Sequence, residues 1–331
     1  MRDAYVKALL DEIALRSQEF KDYTADTLYI GGGTPTVLEG GDLTRIVKRI
    51  KDCFDIDLSE FTIECNPESF ERRAEELKVI GVNRLSFGVQ SLNDLTLKKI
   101  GRLHDRETAL NVLDSAKQVT DNISADIMFN LPNETVDDVA RTLNDLKDKV
   151  KHISAYALTV EDGTSLKKSG YVTDDDLERS MYDKTCGILR ECGFSRYEVS
   201  NFARKGYECK HNLKYWHRDE YLGLGAAAHS FYNGVRYAET NCIKDYIEGA
   251  PRTLTELSES DAENEFIMLS LRLDEGLSQE RFKELFNREF KDGREDAIKR
   301  LNKCLDVSSE RVRIADEYVY VGNTITAELL K

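Results

Sequence analysis

A glycine-rich turn, Gly31-Gly-Gly-Thr-Pro35, follows directly on a short apolar run at residues 28–30. The run reads as a buried strand, which the glycines break and Pro35 prevents from continuing. Glycine puts no β-carbon in the way, so the N–H groups of such a turn can approach a carboxylate or phosphate closely. A tight strand-to-helix turn with no ligand is the plainer reading of the same residues. Further groups recur along the later strands: Glu64 and Asn66 end the second, Gln90 ends the third, Asp126 lies within the fourth, and Tyr156 and Ala157 lie in the fifth. In a parallel α/β fold successive strand ends meet at one mouth, so together these groups predict a ligand site. Singly they have other readings: Asn66-Pro67 as a turn, Gln90 as a helix cap, Arg102 as a surface arginine. A second stretch, His211-Asn-Leu-Lys-Tyr-Trp216, carries the only tryptophan of the chain. Its imidazole suits a metal, but a histidine in an aromatic-lined turn explains it equally. Cys209 and His211 with His217 suggest a single-ion site for which no fourth ligand is evident.

The elements that must position these residues alternate along the chain. Apolar residues at helical spacing occur over residues 3–20, 42–54, 70–80, 106–120 and 136–150. Strands are predicted at residues 28–30, 61–65, 84–90, 123–129 and 152–159. Five strands separated by helices predict a parallel sheet with right-handed crossovers, arranged as a partial barrel. The strands read as near-continuously apolar, as parallel strands buried on both faces do.

Composition narrows the partners. The 331 residues are 40% hydrophobic and 33% charged, with a formal net charge of −14. That balance excludes a nucleic-acid backbone or an anionic membrane surface as the main partner. No apolar run approaches the roughly 18 residues that span a bilayer, and the start lacks a signal-peptide core, so a cytoplasmic protein is expected. The seven cysteines are scattered, with no C-x2-C or C-x3-C, which describes neither a disulfide framework nor a zinc ribbon.

Four stretches in order carry a resemblance: Gly31-Gly-Gly-Thr-Pro35, Glu64-Cys-Asn-Pro-Glu-Ser69, Arg84-Leu-Ser-Phe-Gly-Val-Gln-Ser91 and Asp126-Ile-Met-Phe-Asn-Leu-Pro132. They resemble the radical S-adenosylmethionine (SAM) proteins of the oxygen-independent coproporphyrinogen III oxidase group. Tyr197-Glu-Val-Ser-Asn-Phe-Ala-Arg204, the His211 stretch, and Tyr221-Leu-Gly-Leu-Gly-Ala-Ala-Ala-His-Ser-Phe231 look like the heme chaperone (HemW) branch of that group. Residues 266–286 resemble its small C-terminal helical domain, and the likeness runs from residue 2 onward. It implies an α/β fold, a partial TIM-like (β/α) barrel of the radical SAM type with a helical, winged-helix-like C-terminal domain. The expected division is residues 1–165 for the barrel core, 166–250 for an extension closing the site, and 251–331 for the C-terminal domain.

The resemblance also implies roles. Gly32, Gly33 and Thr34 would hold the amino and carboxylate end of SAM, and Glu64 its methionine part or ribose. Gln90, Arg102 and Asp126 would surround the ribose and sulfonium, with Ala157 near the adenine. His211 would ligate heme iron, with Tyr215 and Trp216 against the porphyrin, and no residue is assigned a catalytic role. Radical SAM proteins hold a [4Fe–4S] cluster on C-x3-C-x2-C, a spacing that none of the seven cysteines offers. A missing upstream segment carrying the first strand and that motif is the preferred explanation, over true loss of the cluster. As written, the chain is not expected to cleave SAM reductively. The implied function is to bind heme and deliver it to acceptor hemoproteins, with homodimerisation open. The alternative is oxidative decarboxylation of coproporphyrinogen III, and a third reading is a degenerate module acting only by protein contact.

Past residue 240 an acidic run starts a helix, with Ser260 as its N-cap and Glu263 at the third position. Residues 312–314 and 318–321 are expected to pair as a hairpin. The module is too acidic to bind DNA.

Overall fold

The computed structural model describes residues 1–33, 35–38 and 41–331. Five strands fall where the apolar runs predict them: β1 (Thr24–Ile30), β2 (Asp55–Cys65), β3 (Arg84–Gln90), β4 (Ile123–Phe129) and β5 (His152–Ala157). Helices Asp42–Cys53, Ala74–Ile80, Arg106–Ala116 and Val136–Leu146 alternate with them. Their starts are marked by side-chain caps. Asp105 accepts the N–H of Thr108, and Thr135 with Asp138 closes a capping box. A hairpin that periodicity did not predict, β6 (Ser195–Glu198) and β7 (Asn201–Ala203), completes a seven-stranded sheet in the order β1-β2-β3-β4-β5-β7-β6. β2 to β5 run parallel, whereas β7 lies antiparallel to both β5 and β6.

The two faces of this sheet are not alike, which corrects the uniformly apolar reading of its strands. Side chains alternate along a strand, so residues two apart share a face. The register sets Glu64 beside Ser86, Gly88 beside Asp126, and Asp126 beside Ser154. One face therefore carries Thr62, Glu64, Arg84, Ser86, Ser124, Asp126, His152 and Ser154. The other carries Ile63, Leu85, Phe87, Val89, Ile123, Ala125, Ile127 and Ile153, all buried. A two-sided core would strand that many polar groups, so the polar face is built to satisfy them from within. His152 shows how: its Nδ1 meets Ser124 Oγ and its Nε2 meets Tyr197 OH, each at 2.8 Å. Burial, with Arg84 nearby, holds this imidazole well below its usual pKa, so it is a neutral structural link.

By compactness the chain forms two units, one of residues 26–43 and 58–208 and the other of residues 1–25, 44–57 and 209–331. The second unit contains helix Arg2–Arg16, helix Lys210–Trp216 and an antiparallel sheet of β8 (His229–Tyr232), β9 (Val235–Ala238) and β10 (Thr253–Glu256). Its C-terminal part packs Phe266, Phe282, Phe286 and Phe290 together between short helices. Three strands, β11 (Leu277–Ser278), β12 (Leu305–Val307) and β13 (Arg311–Ile314), form a small sheet in the order β11-β13-β12.

Two expectations fail here. Residues 318–321 are not a strand: both edges of β13 are taken by β11 and β12, and Asp316–Val321 forms a 3₁₀ turn with Val319 buried. The helix Glu259–Ser270 is capped two residues earlier than expected, by Ser258 with Asp261 closing the box. Glu263 instead turns inward to meet the guanidinium groups of Arg294 and Arg288, as a buried carboxylate must.

One buried carboxyl in the first unit gives this fold a pH dependence. Glu134 accepts from the Leu131 N–H and the Ser91 hydroxyl, and burial pushes its pKa up to about 7. Between its ordinary value near 4.5 and about 7, the folded chain keeps a proton that the unfolded chain has lost. Stability therefore falls as pH rises through that window. Denaturant titration of Glu134→Gln at pH 5 and pH 8 is expected to show a flatter pH dependence, with a gain at pH 8 on the order of 1–3 kcal/mol. Equal slopes for variant and wild type would contradict this assignment.

Candidate functional site

The polar face gathers most of the residues that the sequence singled out. At the end of β1, the Tyr29 hydroxyl donates to Glu64 Oε1 at 2.8 Å, and the Gly32 N–H donates to Glu64 Oε2 at 3.0 Å. Glu64, on β2, thus clasps the turn that follows β1. The fit is close: a β-carbon on Gly31 would stand 2.6 Å from both the Glu64 carboxyl and the Tyr29 ring. Gly32 has a φ of +82°, in the region that favours glycine, whereas Gly33 has open space around it. Thr34 lies outside the described residues. Burial, followed by the nearby carboxylates of Glu64 and Asp126, raises the Tyr29 phenol far above its ordinary range, so it stays a donor.

A second group surrounds Gly88. A β-carbon there would lie 3.0 Å from Gln90 Nε2, 3.2 Å from Asn66 Oδ1 and 3.7 Å from an Arg102 nitrogen. Gln90 reaches this position through a left-handed backbone (φ 67°) at a register shift in the β3–β4 pairing. Non-glycine residues held that way usually have a task. Beneath them sits His104, with Nδ1 at 3.3 Å from Glu68 Oε2 and Nε2 at 3.1 Å from the Val89 carbonyl. It ties the end of β3 to the turn of helix Pro67–Phe70. Nothing in the sequence marks His104 beyond its place two residues after Arg102.

The third group is centred on Asp126, whose carboxylate accepts from Ser86 Oγ at 3.1 and 3.2 Å. Burial raises its pKa, against the lowering effects of Ser154, Arg84 and Ser86. Arg84 is the buried guanidinium of this face, near enough to Asp126 to lower its pKa. Ala157 ends β5 on the parity of Ile153, so what it offers the polar face is backbone. Arg84, Ser86, Ser154 and Tyr29 were missed as site residues.

The His211 stretch lies in the other unit and forms its own cluster. Helix Lys210–Trp216 sets His211 and Tyr215 on one face, four residues apart, with Nε2 and the phenol oxygen 2.9 Å from each other. The Tyr215 ring meets Tyr221 edge-on at 4.6 Å, and Arg236 donates to the Tyr221 hydroxyl at 3.0 Å. Burial pushes the Tyr215 phenol up to about 12. The Arg272 guanidinium stacks over Trp216 at 4.8 Å. The Trp216 indole N–H is buried and has no acceptor among the described residues. His217 is engaged elsewhere, by Glu275 at 2.8 Å. Among the described residues, no three His, Cys, Asp or Glu side chains are grouped to hold a metal ion.

Residues 1–146 match the radical SAM superfamily, and residues 257–317 match the HemN C-terminal domain. The fold is close to that of coproporphyrinogen III oxidase (HemN) from Escherichia coli, a radical SAM enzyme, with a TM-score of 0.86 over 99% of this chain and 83% of that one. At 20% identity this likeness concerns the fold alone. A barrel sheet of this kind, in a chain whose residues 1–146 match that superfamily, is that of a protein of the radical SAM class. The heme chaperone HemW of Lactococcus lactis is 34% identical over 99% of this chain and 89% of its own length. That of Bacillus subtilis is 36% identical over 86% and 80%, respectively. The chain belongs to the heme chaperone HemW family.

The residues present fit one of the two groups that radical SAM membership implies. The polar face offers a glycine turn and the carboxyl groups of Glu64 and Asp126, which suits a zwitterionic sulfonium such as SAM. They do not fit a [4Fe–4S] cluster. The seven thiols are dispersed, and Cys65, the one on β2, is buried with its thiol pushed well up by burial and by Glu64. A cluster needs several thiolates together.

If the Glu64 clasp shapes the SAM site, Gly31→Ala should weaken SAM binding roughly tenfold or more by calorimetry, because its β-carbon displaces the carboxyl. Gly187→Ala, in helix Asp175–Glu191 with open space at that position, should bind SAM as wild type does. Equal affinities for the two variants would separate the clasp from the ligand.

Proposed function

We propose that this chain binds heme through His211 and passes it to hemoproteins, as the name of its family describes. The observation that carries the reading is the Lys210–Trp216 helix, where an imidazole, a phenol and a buried indole N–H without an acceptor share one short segment. A neutral imidazole is an axial ligand for heme iron, and aromatic faces pack against a porphyrin. Arg272, stacked on Trp216, brings positive charge to the same cluster, where it suits the carboxylates that a porphyrin carries.

SAM, when bound, supplies a sulfonium and an adenosyl group. In this reading Gly32, Gly33 and Thr34 meet its amino and carboxylate end. Glu64 meets the methionine part or ribose, Gln90, Arg102 and Asp126 the ribose and sulfonium side, and Ala157 lies near the adenine. Asp126 offers its carboxyl to the sulfonium. Glu64, already satisfied on each oxygen by Tyr29 and Gly32, keeps the turn in shape while using its remaining lone pairs. SAM then acts in support of heme handling, not as a reactant.

Hemin titration followed by the Soret band tests the central residue. His211→Ala is expected to raise the hemin dissociation constant at least about tenfold, the loss of one axial bond of modest net strength. It should also abolish transfer to an apo-hemoprotein such as apomyoglobin. A wild-type Soret shift and affinity in the variant would remove His211 from the account.

A further inference from the structure

The bond between His211 Nε2 and the Tyr215 hydroxyl bears on how the proposed heme site opens and closes. The two groups lie 2.9 Å apart, on successive turns of one helix. Two proton arrangements are open to this bond. In one, the phenol donates into the Nε2 lone pair; in the other, Nε2 carries a proton and donates to the phenol oxygen. Both leave Nε2 unable to bond a metal, because its lone pair is either engaged or protonated.

Iron in a porphyrin approaches a histidine at Nε2 more readily than at Nδ1, since Nδ1 sits next to Cβ and the backbone crowds the macrocycle. We propose that Tyr215 is a latch on His211: its hydroxyl occupies Nε2 in the empty protein and must be displaced when heme iron binds. This inference rests on the reading of His211 as the heme ligand and adds to it a means of keeping the cargo releasable. Each ligation event breaks the His211–Tyr215 bond, and each release re-forms it, so the phenol opposes loading and assists unloading.

The surroundings keep the phenol in place. The Tyr215 ring is held edge-on by Tyr221, whose hydroxyl is fixed by Arg236, and Arg236 in turn pairs with Glu265 at 2.6 Å. Arg218 pairs with the same carboxylate at 2.7 Å, and both arginines stack on Phe231, at 4.5 and 5.0 Å from its ring centre. A side chain so supported returns to Nε2 when iron leaves. Tyr215 is therefore a positioning residue, acting on heme through His211.

The test is Tyr215→Phe in the full chain, which removes the hydroxyl and keeps the ring. Losing one competing hydrogen bond of ordinary net strength should tighten hemin binding roughly three- to tenfold. It should slow hemin loss to excess apomyoglobin by a similar factor. Unchanged or weaker binding would overturn the latch, weaker binding being the result expected if iron sat on Nδ1 and the phenol supported the ring. Tyr207→Phe, which removes a phenol bonded to Asp121 in the other unit, should leave hemin affinity near wild type; equal tightening there would also overturn it. In the double variant with His211→Ala the gain must vanish, and a gain that persists without His211 contradicts the proposal. His211→Ala alone keeps the two ideas apart. Wild-type hemin binding in that variant defeats the heme-ligand reading itself. Lost binding there, combined with no tightening in Tyr215→Phe, defeats only the latch.

Discussion

The first unit depends on the demand that a carboxylate inside a sheet be satisfied on both oxygens. Glu64 meets it with the Tyr29 hydroxyl and the Gly32 N–H, and in doing so fixes the turn after β1. The same requirement, repeated across the sheet, gives Asp126 its serines and His152 its serine and tyrosine. An unpartnered polar group at any of these positions would cost about 1–3 kcal/mol, so the polar face stands or falls as a set. For Asp126 burial still raises the pKa, against the lowering effects of Ser154, Arg84 and Ser86.

Much of this was legible in the chain. Glu64, Gln90 and Asp126 stood out because charged and amide groups in or at the end of apolar strands have few structural excuses. Glycines 31 to 33 stood out because three in a row end a strand. The residues that complete the site were hidden by their ordinariness: Ser86 and Ser154 look like tolerated strand serines, Tyr29 like core, and Arg84 like the start of a strand. Parity was the missing clue, since positions 84, 86 and 88 on β3, and 152 and 154 on β5, share the face of Asp126. The β6–β7 hairpin escaped notice because four- and three-residue strands show too little alternation to separate from loop.

The His211 cluster was legible in one dimension only. The four-residue spacing to Tyr215 follows from helical geometry, but nothing local announces that Arg272 stacks on Trp216 or that His217 is drawn away to Glu275. The hairpin expected at residues 318–321 failed for a similar reason. Those residues alternate well enough, but β13 already has a neighbour on each side, which only the pairing order reveals.

The account turns on which atom of this protein holds heme iron. Pulsed electron paramagnetic resonance of the ferric heme complex, made with histidine labelled at the imidazole nitrogens with ¹⁵N, reads that directly. A hyperfine coupling from one labelled imidazole nitrogen, present in wild type and absent when His211 is replaced, is what the account predicts. A thiolate spectrum, or an imidazole coupling that survives loss of His211, would contradict it.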